Sequence, residues 1–195
     1  MKVYVGSDLH FGHKNILKFN AATRQFRDVD HMNEMMVEMW NDIVTPDDLV
    51  YILGDFAFTS SSVAARFAAR MNGRKILIQG NHDSKLVKDV SFRREFEEIH
   101  MYHEINHNGA KIIMCHYPFA EWNGCHRGSL MLHGHLHGSP TGLDQYRIMD
   151  VGMDATGKIV SDLDDIVEQL LKRDLKTHGY VKSVIDSKGH FVEVK

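Results

Sequence analysis

Lys75-Ile76-Leu77-Ile78-Gln79-Gly80-Asn81-His82-Asp83 is the stretch on which the fold turns. Its first half is a short aliphatic run of the kind that forms a buried strand. Its second half is a glycine-opened polar cluster, which reads as a loop. A strand here therefore carries an asparagine, a histidine and an aspartate out at its carboxyl end.

The same order recurs on both sides of this stretch. Lys2 to Gly6 reads as a strand that stops at Ser7-Asp8, followed by Leu9-His10. Leu49 to Leu53 is a continuous apolar strand ending in Gly54-Asp55, and Lys111 to Cys115 ends in His116. Leu130 to Leu132 runs into His133-Gly134-His135-Leu136-His137. Helices separate several of these strands. His31 to Val44 carries Met32, Met35, Met36, Met39, Trp40 and Ile43 at helical spacing, with Asp30 as N-cap and Pro46 beyond its end. The methionines at that spacing are core packing rather than a soft-metal site. Ser60 to Met71 is a second helix and residues 161–173 a third. Tyr180 to Ile185 and Phe191 to Val194 read as a terminal hairpin within 180–194. The expected fold is α/β: two mixed β-sheets packed as a sandwich and flanked by helices, in one domain over 1–195. In such folds, sites assemble where the carboxyl ends of strands meet, so five polar clusters on one rim make one site.

Composition narrows the function. With 43% hydrophobic and 25% charged residues the chain is globular, and its longest apolar runs are strand-sized, so no membrane span is expected. Met1-Lys2 leads to Asp8 and His10 too quickly for a signal peptide. Cys115 and Cys125 are the only cysteines, which suits free thiols in a reducing cytoplasm. A net charge of −3 with scattered Lys and Arg argues against a grip on extended nucleic acid. Histidine, at 14 residues, is in excess. Hard carboxylate and amide oxygens mixed with imidazoles suit Mn²⁺, Fe, Zn²⁺ or Ni²⁺. Thiolates are absent from the clusters, so a structural zinc site is not expected.

Taken together, Asp8-x-His10, Gly54-Asp55, Gly80-Asn81-His82-Asp83, His116 and Gly134-His135-x-His137 resemble the calcineurin-like metallophosphoesterases, over Asp8 to about Asp154. Ser7 to Ile16, Trp40-Asn41 and Asp150-Val151-Gly152-Met153-Asp154 are similar to a compact bacterial and phage subgroup of that superfamily. The resemblance implies two divalent ions. Asp8, His10 and His137 would bind the first, Asp55 would bridge both, and Asn81, His116 and His135 would complete the second. It implies a metal-bridging hydroxide attacking phosphorus, with His82 as general acid oriented by Asp83. The implied activity is phosphodiester or phosphomonoester hydrolysis on a small molecule such as a nucleotide. A nuclease, a protein phosphatase and a non-catalytic scaffold are the alternatives. His13 is expected to contact substrate phosphate. Arg24 either forks onto that phosphate or makes a surface ion pair. Tyr117, Phe119 and Trp122 either stack on a base or anchor their loop. His133 is either a support for the metal ligands or a core histidine, and His100 and His103 are expected to be surface or structural.

Overall fold

The computed structural model of the chain describes residues 1–176, and beyond them the two strands of a hairpin. Two sheets form its centre. The first has the order β4-β3-β2-β1-β9, with β1 (Val3–Gly6), β2 (Leu49–Ile52), β3 (Arg74–Ile78) and β4 (Glu98–His100) all parallel. Ser161–Asp162 (β9) closes that sheet antiparallel to β1. The second sheet has the order β5-β6-β7-β8. In it β5 (Tyr102–His107) runs antiparallel to β6 (Ala110–Cys115), while β7 (Leu130–His133) and β8 (Ile148–Asp150) continue parallel to β6. Both sheets are mixed, and they pack as the expected sandwich.

Strand alternation sorts the side chains into layers. Val5, Tyr51, Leu53, Ile76 and Ile78 of the first sheet meet Ile112, Met114, Leu130 and Leu132 of the second. Tyr4, Val50, Ile52 and Leu77 point the other way, onto Met32, Met36 and Trp40 of α2 (Val29–Ile43) and Ala64 and Ala68 of α3 (Ser61–Arg70). The methionine-rich face of α2 is thus core. Ile113, Cys115 and Met131 line the outer face of the second sheet with Trp122, so Trp122 anchors its loop.

Several boundaries differ from the sequence reading. The cap of α2 is Asp28, whose side chain accepts from the His31 N–H; Asp30 lies inside the first turn. The third helix is shorter than 161–173, because Ser161 and Asp162 are drawn into β9. Asp162 then caps Leu163–Leu171 by accepting from the Asp164 N–H. Short helices at Ile16–Phe19 (α1), Val90–Arg93 (α4) and Met153–Thr156 (α5) are additional, so Leu163–Leu171 is α6. Ser183–Ile185 (β10) and Phe191–Glu193 (β11) pair antiparallel, as the hairpin reading requires, while the rest of 180–194 and His178 lie outside the described residues. Both cysteines are buried and free. Among the described residues no helix is long and apolar enough to cross a membrane.

Candidate metal centre

The parallel register brings the polar clusters to one rim. Gly6 is level with Ile52, and Ile52 with Leu77, so the loops after β1, β2 and β3 leave side by side. Met114 is level with Leu132, which places His116 beside the loop after β7. Backbone bonds then tie the loops together: Asp8 N donates to Gly54 O, His10 N to Asp55 O, and Gly134 N to His116 O. Gly134 sits where a Cβ would collide with the Ser7 hydroxyl and the Asp8 carboxylate, so only glycine lets these two loops touch.

Two groups of donor atoms result. Asp8, His10 and His137 each offer an atom within 4.8 Å of the others, and so do Asp55, His116 and His135. Asp55 stands between the groups. One of its oxygens is 3.7 Å from His10 Nε2 and the other 3.6 Å from His116 Nε2. Asn81 Oδ1 is 3.0 Å from His116 Nε2. Five of these residues hold left-handed backbone, with φ of +57° at Asp8, +54° at His10, +51° at Asp55, +73° at His135 and +50° at His137. Among the described non-glycine residues only Asn108 shares that conformation. Strain gathered so selectively marks a site where side-chain direction matters more than backbone comfort.

The donor set fits cations. His10 is fully buried, and neither ring nitrogen has a hydrogen-bond partner. Native interiors rarely leave a buried polar atom unpaired. Burial pushes His10 down to about 2 and Asp8 up to about 7. Without a positive ion the pocket favours neutral groups, and an ion would reverse that preference. His137 carries its own support: Nδ1 is 2.8 Å from Asp154, leaving Nε2 on the Asp8 side, 3.9 Å from Oδ1. That second carboxylate fixes the tautomer and direction of the ring. Asp154 belongs to the quoted stretch Asp150 to Asp154, but nothing in its spacing announced this role.

Two expectations need correction. Asp83 does not touch His82. It is fully buried and accepts from the backbone N–H groups of Asp55, Phe56 and Gly80, which staples the β2 loop to the β3 loop. Burial raises its carboxyl to about 6, partly offset by those bonds. Arg24 is turned inward, away from the open face of the site and from the surface. Its guanidinium is buried, forks onto Asp154 at 2.9 and 2.8 Å, and donates its other protons to the carbonyl oxygens of Leu9 and Asp8 and to the Met36 sulfur. Burial pushes Asp154 up, but the hydrogen bonds from His137 and Arg24 outweigh this and hold it below the usual carboxylate range.

His82 faces the centre from the rim, a third exposed, with Nε2 3.8 Å from Asp55 Oδ2. His13 lies beside it, its ring stacked on Phe58 at 4.5 Å, and burial lowers its pKa. Asn33 holds this loop by accepting from the Gly12 N–H. His133 is buried, with Nδ1 2.8 Å from the Gly134 carbonyl, which is the core-histidine outcome. The Tyr117 ring packs on His116 and His135 at the edge of the site. Phe58, half exposed, and Lys85 were passed over in the sequence, yet with Ala57, Thr59 and Leu86 they line a cavity of about 270 Å³ that opens onto His82. An apolar residue three places after Asp55 was the only available signal.

The chain is similar to several known proteins. An uncharacterized protein of Methanocaldococcus jannaschii is 33% identical over 147 residues, covering 74% of this chain and 73% of its own. The gene 66 protein of Mycobacterium phage L5 is 28% identical over 84% of this chain and 93% of its own. A solved Aquifex aeolicus protein of unknown function superposes with a TM-score of 0.69 at 26% identity, over 86% of this chain and 98% of that one. The family model for calcineurin-like phosphoesterases matches residues 1–191, well past Asp154 where the motifs end, and the chain belongs to that family.

Proposed function

We propose that the chain is a dinuclear metal-dependent phosphoesterase acting on a nucleotide or a similarly small phosphoester. The observation that carries this reading is Asp55, whose two oxygens each face a separate group of donors, while His10 of the first group is buried with no hydrogen bond to either ring nitrogen. In this reading Asp8, His10 and His137 hold one ion, Asn81, His116 and His135 hold the other, and Asp55 bridges. Manganese is the first candidate, with Fe, Zn²⁺ and Ni²⁺ behind it. Bound there, two divalent ions supply Lewis acidity toward the phosphoryl oxygens and an activated water as nucleophile.

The chain's own residues supply the rest. His82 delivers a proton from Nε2 to the leaving oxygen, since this nitrogen faces Asp55 from the open side. The leaving group then lies over the cavity beside His82, where Phe58 offers an exposed ring and Lys85 a cation. A flat base on Phe58 favours a nucleotide over a simple alkyl ester. His13, held by Phe58, orients a phosphate oxygen. We read residues 1–195 as one domain in which the hairpin is the appended element. The helix α6, expected as an appended helix, packs Leu163, Ile166, Val167 and Leu170 into the layer between the sheets. The free cysteines suit a cytoplasmic location.

The test is hydrolysis of bis(p-nitrophenyl) phosphate, p-nitrophenyl phosphate and a panel of linear and cyclic nucleotides with added Mn²⁺. Asp55→Asn should abolish turnover, and Phe58→Ala should raise KM for nucleotides more than for p-nitrophenyl phosphate. Absence of turnover on every substrate with every metal would refute the reading.

A further inference from the structure

A second set of metal donors stands at the open edge of the sandwich, and none of its members belongs to the centre above. β4 and β5 are the edge strands of the two sheets, joined through the exposed Met101. In β4, Glu98 is level with Ile76 and His100 with Ile78. In β5, His103 is level with Met114 and Ile105 with Ile112. Ile76, Ile78, Ile112 and Met114 all face the layer between the sheets. By strand alternation, Glu98, His100 and His103 therefore point toward that same layer from its open side, where the neighbouring strands place aliphatic residues.

The Glu98 side chain is more than half exposed and that of His100 a third exposed, so solvent and ions reach the cluster from the open side. Glu98 Oε2 and His100 Nε2 are 2.6 Å apart. The His100 and His103 rings stack at 4.4 Å with 22° between their planes, and the Tyr51 ring lies 5.9 Å from that of His103. One donor atom from each of the three residues lies within 4.8 Å of the other two, so one ion could reach all three once the stacked rings rotate to aim a nitrogen each at it. We propose that Glu98, His100 and His103 bind a third divalent cation, of the Zn²⁺, Ni²⁺ or Cu²⁺ class, which clips the edge of one sheet to the edge of the other. Two imidazoles and one carboxylate select these borderline ions over Mg²⁺ or Ca²⁺. Three protein ligands leave further positions to water, as on an accessible edge. His100 comes from the first sheet and His103 from the second, so the ion holds the Met101 crossover closed.

The experiment measures bound zinc per chain by elemental analysis, after metal-free protein is dialysed against buffered Zn²⁺. Wild type should exceed His100→Ala and His103→Ala by one equivalent each, and Glu98→Gln should bind that equivalent at least tenfold more weakly. The same difference should persist in a His10→Ala/His116→Ala background, which separates this site from the proposed catalytic pair. Circular dichroism checks that each variant is folded, and His103→Gln replaces any variant that is not. Equal zinc content in wild type and the folded His100 and His103 variants would overturn the proposal, whatever the protein hydrolyses.

Discussion

The Arg24 guanidinium lies between Asp154 and the carbonyl oxygens of Asp8 and Leu9, so it joins the loop after β1 to the carboxylate that orients His137. Without Arg24, the buried Asp154 would keep only His137 and Thr23 as partners, and the carbonyl oxygens of Asp8 and Leu9 would lose their donor. Arg24→Ala should therefore lose about 3–5 kcal/mol of stability in urea denaturation. A loss of substrate affinity with unchanged stability would restore the phosphate-binding role. Asp83 and His82 are neighbours in sequence with opposite fates: one is enclosed by three backbone N–H groups, the other looks out over the rim. Asp83→Asn would set an amide N–H₂ against a backbone N–H, loosening Asp55 and lowering bound metal. His82→Ala should cut the rate and leave metal content nearly unchanged. Elemental analysis beside kinetics separates the two, and metal loss in His82→Ala would remove it as the acid. The sequence shows which residue types gather here. It does not show direction: Asp83 differs from a residue paired with His82 only through the fold around it.

At the scale of elements, the legible parts were those buried on both sides. Val50 to Leu53 and Ile76 to Ile78 are continuous apolar runs because helices cover one face and the second sheet covers the other. Glu98–His100 and Tyr102–His107 escaped notice because edge strands stay half exposed and tolerate polar residues. The start of α2 was misplaced because Asp28 and Asp30 are both acceptable caps in sequence; the extended backbone of Asp28 decides it. Asp48 shows how a turn sets strand register. Its carboxylate accepts from the Lys2 N–H, the Thr45 hydroxyl and the Thr45 N–H, joining the entrances of β1 and β2. These bonds, the one from Lys2 foremost, hold its pKa at about 2 against 3.8 for a free carboxyl. Between these values the folded state binds fewer protons than the unfolded chain, so stability falls as pH falls. The melting-temperature advantage of wild type over Asp48→Asn should be complete above about pH 5 and narrow steadily below about pH 4. A gap independent of pH would show that the Asp48 charge contributes nothing.

For the whole molecule, the decisive feature is that five loops from two sheets converge on a small volume and three of them hold unfavourable backbone to do so. The sequence announces the loops, but register and φ arise only when the sheets assemble. Left-handed backbone at Asp8, His10, Asp55, His135 and His137 costs of order 1–3 kcal/mol each for a non-glycine residue. The buried, unpartnered His10 ring adds to that cost. Two apolar layers, one between the sheets and one beneath α2 and α3, are available to offset it, and neither depends on a ligand. Stripping the metals with a chelator should thus leave the far-ultraviolet circular dichroism nearly unchanged while the protein melts earlier. An ion present at a thousand times its Kd adds about 4 kcal/mol to the folded state. At roughly 2–4 °C per kcal/mol for a chain of this size, the melting temperature should drop by about 8–16 °C per site. Asp55→Asn, which removes the bridge between the donor groups, should melt near the stripped wild type and respond weakly to added Mn²⁺. If chelation left the wild-type melting temperature unchanged, the strain at the rim would have to be offset by the protein alone, and the dinuclear reading would fail.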